Sequence, residues 1–503
     1  MTYTLGVDFG GGAGKGTLLN ANGEVAATAT REYPTYRPKN GWAEIEPDDY
    51  LHAACEIIRE ILSQSGISPT DIAAVAISSA SMTAACLDEN DQPVRRAIFW
   101  SDGRGTLQSD RLRREHGDAI FEKTFTSVSN SRTITHLLWM KENEPENFSR
   151  IRRIMFMKDY VRYRLTGSFV TDYIDAMGSQ LIDTPKGKWS EELAALCSIP
   201  LAALPELVRP TDIVGTISPE GARMTGLTEG TKVICGTTDT VMEVYANGAI
   251  RPGQMTLKLA TAGRICLITE GPIPDRRLFN YQHVVPGLWY PGTGTKCCAS
   301  SYRWYRDALC GEEMAKEAAE NVDAYVLMDK MAETVEPGSN DLFFHPYLQG
   351  EATPYFDERL KGSFTGVSTF HTKAHFTRAL LEGVAYSLRD SLDVMRLYAK
   401  PTEAVVIGGG AKSPLWRQIV SDVLGLKLVR TLDSDSSLGS AMLAGVACGL
   451  FSSFEDSVKT CVHYRGEPIL PDGERKVVYD RGFGIYKQIH DALEPVYHSL
   501  SQS

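Results

Sequence analysis

Short apolar runs separated by glycine-rich or polar turns recur along the whole chain, and the first ones set the pattern. Tyr3 to Val7 reads as a strand ending at Asp8. A glycine cluster follows, and Thr17-Leu18-Leu19 resumes a strand. Asn20-Ala21-Asn22-Gly23 carries the Asn-Gly hairpin signal, after which Val25 to Glu32 is a third strand. Asp48 to Leu62 has helical spacing: Tyr50, Leu51, Ala54, Ile57, Ile58 and Leu62 fall on one stripe. Ala73 to Ser78 returns to strand.

A similar order recurs later. Lys232 to Cys235, Thr256 to Ala260, Arg264 to Ile268, Ala404 to Ile407 and Leu428 to Thr431 read as strands. Pro414 to Val423 and the small-residue stretch Ser437 to Gly449 read as helices. Alternation of this kind predicts an α/β protein. The chain's 503 residues exceed one ordinary core, so two lobes are expected, residues 1–248 and 249–503, divided near Gly248. The two look like distant copies of one strand-rich unit.

Composition narrows the function classes. Lysine and arginine total 52 against 63 acids, a net charge of −11, which disfavours nucleic acid or an anionic membrane surface as partner. The longest uncharged apolar stretch, Ile72 to Leu87, is interrupted by Ser78, Ser79, Ser81 and Thr83 and reads as a strand and turn, not a membrane span. Met1-Thr2-Tyr3-Thr4-Leu5-Gly6 lacks the basic and apolar regions of a secretory signal. The ten cysteines include one adjacent pair, Cys297-Cys298, and no C-x-x-C, so zinc spacing is absent and reduced thiols in a cytoplasmic setting are expected.

Four segments carry candidate chemistry. In Asp8-Phe9-Gly10-Gly11-Gly12-Ala13-Gly14-Lys15-Gly16 an acid opens into glycines whose amides can approach an anion, with a lysine close behind. It is not a Walker A loop, because Phe9 and Gly16 stand where that motif needs Gly and a hydroxyl. The dinucleotide glycine pattern also fails, and a strand rather than a helix follows. A phosphate-binding β-hairpin and a plain glycine turn both fit. Gly236-Thr237-Thr238-Asp239-Thr240 places a carboxylate after a buried strand, as a general base or as a helix N-cap. Leu259-Ala260-Thr261-Ala262-Gly263 is a second phosphate hairpin or a tight turn. Val405 to Ser413, with Gly408-Gly409-Gly410, runs into Pro414, as an anion or purine floor or as a structural turn.

Taken in this order, the four segments resemble the FGGY carbohydrate kinases, of the sugar kinase, heat-shock ATPase and actin fold group. The resemblance runs end to end and is closest to xylulokinase-like members. Trp100-Ser101-Asp102-Gly103-Arg104, Lys158-Asp159-Tyr160, and Pro346 to Pro354 with its Gln349-Gly350-Glu351 also match, as does Leu438-Gly439-Ser440-Ala441.

The resemblance implies two ribonuclease-H-like lobes with ATP and sugar in the cleft between them. It implies Asp239 as general base and Asp8 as the holder of Mg²⁺. It assigns Gly10, Gly11, Gly12 and Lys15 to the first phosphate hairpin, and Thr261 and Gly263 to the second. Gly409, Gly410 and Ala411 would lie against the nucleotide. Ser81, Met82, Trp100, Asp102, Arg104 and Thr240 would face the sugar or polyol, with Asp102 and Arg104 also readable as a structural salt bridge. A homodimer is common in the family.

Some positions depart from it. Gly11 and Gly12 replace the usual hydroxyl residues of the first hairpin, and Ala260-Thr261-Ala262 replaces Gly-Thr-Ser in the second. Ser81 and Met82 stand where xylulokinases carry Met-His, and Thr240 where they carry Asn. The alternative to a kinase is a nucleotide-binding sensor of the same fold without turnover.

Overall fold

A computed structural model describes residues 1–433 and 435–501. The chain divides into two compact units. The first holds Met1–Ile250, Glu270–Tyr290 and Asp433–Val462; the second holds Arg251–Thr269, Pro291–Leu432 and His463–Ser503. The switch at Ile250 falls two residues from Gly248, but two later segments return to the first unit, so neither unit is contiguous in sequence.

The first unit is built on a six-stranded sheet. Its order is Ile213–Thr216, Lys232–Ile234, Ile72–Ser79, Tyr3–Phe9, Ala13–Asn20, Val25–Glu32. The first three strands of the chain form an antiparallel meander. Tyr3–Phe9, Ile72–Ser79 and Lys232–Ile234 run parallel. Side chains alternate between faces, so paired residues share one face. Val7 and its partner Gly16 face the helix Pro47–Ser65, and a Cβ on Gly16 would lie 2.4 Å from Ile57. That helix buries Tyr50, Leu51, Ala54, Ile57, Ile58 and Ile61, close to the stripe expected from the sequence. Gly6 and its partner Thr17 face the other way, against the helix Ser436–Cys448.

That second packing explains why Asp433–Val462 belongs to the first unit. The Thr17 and Ser437 hydroxyls are 2.7 Å apart, and Thr4 Oγ1 donates to the Ala441 carbonyl at 2.9 Å. The helix lies so close to the sheet that a Cβ on Gly6 would sit 2.0 Å from the Ser437 carbonyl oxygen. Small residues along this helix serve backbone approach, which its composition alone did not reveal.

The second unit repeats the plan. Its sheet order is Gly292–Thr295, Gly263–Leu267, Gln254–Leu259, Glu403–Ile407, Lys427–Val429. The first two pairings are antiparallel and the next two parallel. The same sequence of pairings leads from Val25–Glu32 through Ala13–Asn20, Tyr3–Phe9 and Ile72–Ser79 to Lys232–Ile234. The internal duplication expected from the sequence is therefore a duplication of sheet topology. None of the ten cysteines is in a disulfide, and nine of them are buried. Among the described residues no helix is long and apolar enough to cross a membrane.

The helix–sheet approach is testable. Gly6→Ala forces a Cβ onto backbone and is expected to cost about 3 kcal/mol. This should appear as a thermal midpoint lowered by roughly 5–10 °C. Gly117→Ala, inside the helix Thr106–Thr124 with its nearest neighbour 3.8 Å away, is the control and is expected to be neutral or slightly stabilising.

Candidate active site

Three neighbouring parallel strands of the first unit lead toward one side of the sheet. Asp8 is paired in register with Ser78, and Ser79 forms a bridge with Thr238. Asp8, Ser78 and Asp239 therefore emerge side by side. Ser78 Oγ donates to Asp8 Oδ1 at 2.6 Å, and Ser440 Oγ donates to Ser78 Oγ at 2.8 Å. The turn leading to Asp239 crosses directly over the central strand: Gly236 has φ 74°, and a Cβ there would lie 1.9 Å from the Ile77 carbonyl oxygen. Only glycine fits that crossing.

Asp239 is the first residue of the helix Asp239–Ala246, and Thr238 occupies the N-cap position. The capping alternative for Asp239 does not hold. Its carboxylate accepts from the Thr240 amide at 2.6 Å and the Thr240 hydroxyl at 3.1 Å, and stays partly exposed. Burial, then the charge of Asp239, hold the Asp8 carboxyl well above the usual carboxylate range; Asp435 and Glu243 add to the effect and the Ser78 hydroxyl opposes it. The four acids thus form one field of negative charge. Lys15, paired in register with Asp8 and so on the same face, bonds Asp435 at 3.0 Å.

The first glycine hairpin is tied down from behind. The Gly10 carbonyl accepts from Tyr33 at 2.6 Å and Tyr50 at 3.1 Å. Thr35 Oγ1 donates to the Gly11 carbonyl at 2.6 Å, and the Tyr33 amide to that of Gly12 at 3.1 Å. With its carbonyls held on one side, the exposed tip at Gly11 and Gly12 keeps its amides for another partner.

The second unit uses the same device. In the hairpin after Leu259, the Ala260 carbonyl accepts from the Ala299 amide at 2.7 Å. The Thr261 carbonyl accepts from the Cys298 and Ser300 amides and from Ser300 Oγ at 2.7 Å. Thr261 and Ala262 are exposed, whereas Gly263 is buried where a Cβ would lie 2.6 Å from Thr295. Gly408 has φ 90° and no room for a Cβ against the Leu259 carbonyl, 2.6 Å away. Gly409 is open and Gly410 packs on Trp416. Ala411 is buried, so its side chain supports the turn and its backbone is what a ligand would meet. Ser413 caps the following helix at the Trp416 amide, 3.0 Å away.

The expected sugar-side residues separate into two groups. Ser81, Met82 and Trp100 stay accessible, Trp100 being 38% exposed with its amide bonded to Thr83 Oγ1 at 3.1 Å. Asp102 and Arg104 do not face a ligand, because their side chains are fully enclosed. Arg104 donates to both Asp102 oxygens at 2.8–2.9 Å and to Glu44 at 2.8 Å, and it lies 3.7 Å from the Trp42 ring. Asp102 also accepts from the Ala43 amide at 2.5 Å. The pair anchors the loop that presents Trp100, and a structural salt bridge is its role.

A buried charge network that sequence reasoning did not identify links the sugar loop to the Asp239 turn. Ser81 Oγ donates to Asp175 at 2.9 Å. Lys158 reaches Asp159 at 2.6 Å, Asp172 at 2.8 Å and Asp175 at 3.6 Å. Asp172 accepts from Thr237 at 2.7 Å, two residues before Asp239, and Arg162 bonds Asp159 at 2.8 Å. Burial lowers the Lys158 pKa, but the three carboxylates outweigh it and hold the ammonium charged. Burial pushes Asp175 up to about 8, against the pull of Lys158 and with the charges of Asp172 and Asp159. Three acids face two cations, and one retained proton balances them. Lys158-Asp159 was visible as a motif, but Asp172 and Asp175 reach it only through folding.

Comparison with known proteins follows the same lines. The model of the FGGY family of carbohydrate kinases, N-terminal domain, matches residues 3–245, and that of the C-terminal domain matches residues 232–448. The chain is 33% identical to the xylulose kinase of Lactococcus lactis subsp. lactis (strain IL1403), over 99% of each chain. The xylulose kinase structure from Rhodospirillum rubrum superposes with a TM-score of 0.92 at 30% identity, covering 99% of this chain and 100% of that one. The gluconate kinase structure from Lactobacillus acidophilus gives 0.91 at 27% identity, covering 99% of each.

The protonated Asp175 has a signed consequence. A carboxyl whose pKa is raised on folding stabilises the fold at low pH, and that stability is lost as pH rises toward the folded-state value. Between pH 5 and 8 the parent is expected to lose more thermal stability than Asp175→Asn, which keeps the neutral form throughout. The difference in slope should be up to about 1.4 kcal/mol per pH unit. Parallel pH profiles of the two thermal midpoints would contradict the assignment.

Proposed function

Because this chain belongs to the FGGY family of carbohydrate kinases, which phosphorylate sugars with ATP, we propose that it phosphorylates a hydroxyl of a ketopentose such as xylulose, with Asp239 as general base. The observation that carries the reading is the placement of Asp8 and Asp239 on either side of the strand Ile72–Ser79 in the first unit, close enough that the charge of Asp239 raises the Asp8 pKa. The names of the relatives support the ketopentose.

Asp239 would accept the proton of the attacking hydroxyl and hold that oxygen in line. Its own bond to the Thr240 amide fixes the carboxylate's direction, so one oxygen stays oriented toward the substrate. The amides of Gly11 and Gly12, with Lys15, would receive phosphate oxygens, while the Gly10 amide, expected with them, donates instead to the Ala13 carbonyl at 3.1 Å and closes the hairpin. Thr261, Gly263 and the turn at Gly409, Gly410 and Ala411 would hold the rest of the nucleotide. The residues around Asp8 suit Mg²⁺: all are hard oxygen donors, and their mutual repulsion is the field a divalent cation relieves. Asp8 would hold it, and when bound it neutralises phosphate charge during transfer. Phosphoryl transfer asks mainly for such positioning and charge balance. Ten cysteines without a disulfide among them support a reducing cytoplasm as the setting. No observation favours the non-catalytic alternative.

ADP release with Mg²⁺ATP, measured across ketopentoses, ketohexoses, pentitols, tetritols and glycerol, tests the reading. Asp239→Ala is expected to lower kcat by about 10³-fold or more while ATP affinity stays within a few-fold. Full activity in that variant would remove Asp239 as the base. Asp8→Asn is expected to abolish turnover or to move the Mg²⁺ titration to higher concentration by about tenfold. An unchanged titration would remove Asp8 from the metal.

A further inference from the structure

Arg132 is a buried cation for which the first unit supplies no counter-charge. It is 7% exposed and stands at the N-cap position of the helix Thr133–Asn143. Its Nη1 donates to the Tyr281 hydroxyl at 2.6 Å and approaches Met82 Sδ at 3.3 Å. Its Nε has no hydrogen-bond partner, and among the described residues no carboxylate pairs with it. A phenol oxygen and a thioether are weak, neutral acceptors. A guanidinium held this way bears the cost of burial without compensation. The start of the helix adds positive potential at the same point.

The surroundings are built, not incidental. Met82 holds φ 72°, a left-handed backbone that a long side chain rarely adopts. Thr133 Oγ1 holds the Met82 carbonyl at 2.8 Å, and Asp175 holds the Ser81 hydroxyl at 2.9 Å. Gly178 leaves no space for a Cβ, which would lie 2.3 Å from Ser81 Oγ. Tyr281 comes from Glu270–Tyr290, a segment that returns to the first unit. Two stretches distant from Arg132 in sequence thus converge on its guanidinium, one of them the loop that carries Ser81 and Met82.

We propose that Arg132 is a specificity-determining residue of the sugar site, donating hydrogen bonds to an sp² oxygen at or next to one end of an open-chain substrate. The oxygen is the ketone of a ketose or the carboxylate of an aldonate; a polyol has neither and is disfavoured. This rests on the kinase reading above. Guanidinium geometry suits such planar oxygens, and a site that hydrogen-bonds a group rejects analogues lacking it.

The test compares kcat and KM for xylulose, xylonate, gluconate and xylitol in the parent, Arg132→Gln and Arg132→Lys. Arg132→Gln is expected to raise KM for the carbonyl or carboxylate substrate by about 10–100-fold, with a smaller change in kcat, and to leave the weak use of xylitol unaltered. Arg132→Lys should recover part of the loss, since it keeps charge without the fork. A loss confined to xylulose identifies the ketone; a loss confined to the aldonates identifies the carboxylate. Unchanged KM for every substrate in Arg132→Gln, or xylitol used as well as xylulose by the parent, overturns the proposal. Should Arg132→Gln not fold, judged by ATP binding, Arg132→Lys carries the same KM comparison. Calorimetric sugar binding by Asp239→Asn, with and without Arg132→Gln, reads the Arg132 contact without turnover. Weaker binding in the double variant would then support Arg132 even if Asp239 proved not to be the base.

Discussion

The register of three parallel strands governs everything at the candidate site. Tyr3–Phe9 pairs with Ile72–Ser79 to its last residue, Lys232–Ile234 joins that strand from its other side, and a shift by one residue would turn Asp8 away to the opposite face of the sheet. Backbone approaches that admit no side chain lock this register. Gly236 crosses over the Ile77 carbonyl, Gly6 lies against Ser437, and Gly439 lies against the Met242 carbonyl, where a Cβ would be 2.2 Å away. The last contact seats the helix Ser436–Cys448 on the helix that begins at Asp239. The acid pair is thus placed by backbone packing and not by its own hydrogen bonds, which are few. Groups that must change charge environment during a reaction are best positioned in this way, because their side-chain valences remain available.

Duplication of the sheet gives the chain two hairpins at corresponding positions, and each is made into a donor surface by capturing its carbonyls from behind. Tyr33, Thr35 and Tyr50 do this for Gly10 to Gly12; the first residues of the helix Ala299–Leu309 do it for Ala260 and Thr261. The chemical means differ while the outcome is the same. Loss of the hydroxyls usual in the first hairpin therefore removes side-chain donors only. The backbone donors are held by residues outside the motif, one reason the motif alone left a plain turn as an open alternative.

Much of the fold was legible because its signals are local. Strand runs ending in glycine, the Asn-Gly turn and the helical stripe from Tyr50 to Leu62 depend on neighbours in sequence. Asp8, Asp239 and the glycine segments were legible for the same reason. What stayed hidden depends on burial. Asp102 and Arg104 have the spacing of a polar fork, and only their complete enclosure by Trp42, Ala43 and Glu44 settles what they pair with. Asp435 precedes a helix in the manner of any N-cap, and its share in the Asp8 field appears only once that helix returns to the first unit. The return of Glu270–Tyr290 and Asp433–Val462 was hidden too, since neither segment carries a linker composition at its ends.

The buried network gives the first unit a physical link between the Ser81 loop and the turn that leads to Asp239. From Ser81 the chain of bonds runs through Asp175, Lys158 and Asp172 to Thr237, and every step beyond Ser81 lies within the protein interior. Interactions at low dielectric are strong, and they are costly to leave incomplete. Movement of the sugar loop that broke the Ser81 bond would leave Asp175 with one polar partner fewer and unsettle the charge balance around Lys158. The same balance holds Thr237, and with it the turn that aims Asp239. Under the proposed function, the geometry of the Ser81 loop and that of the turn before Asp239 would therefore be set together through this network.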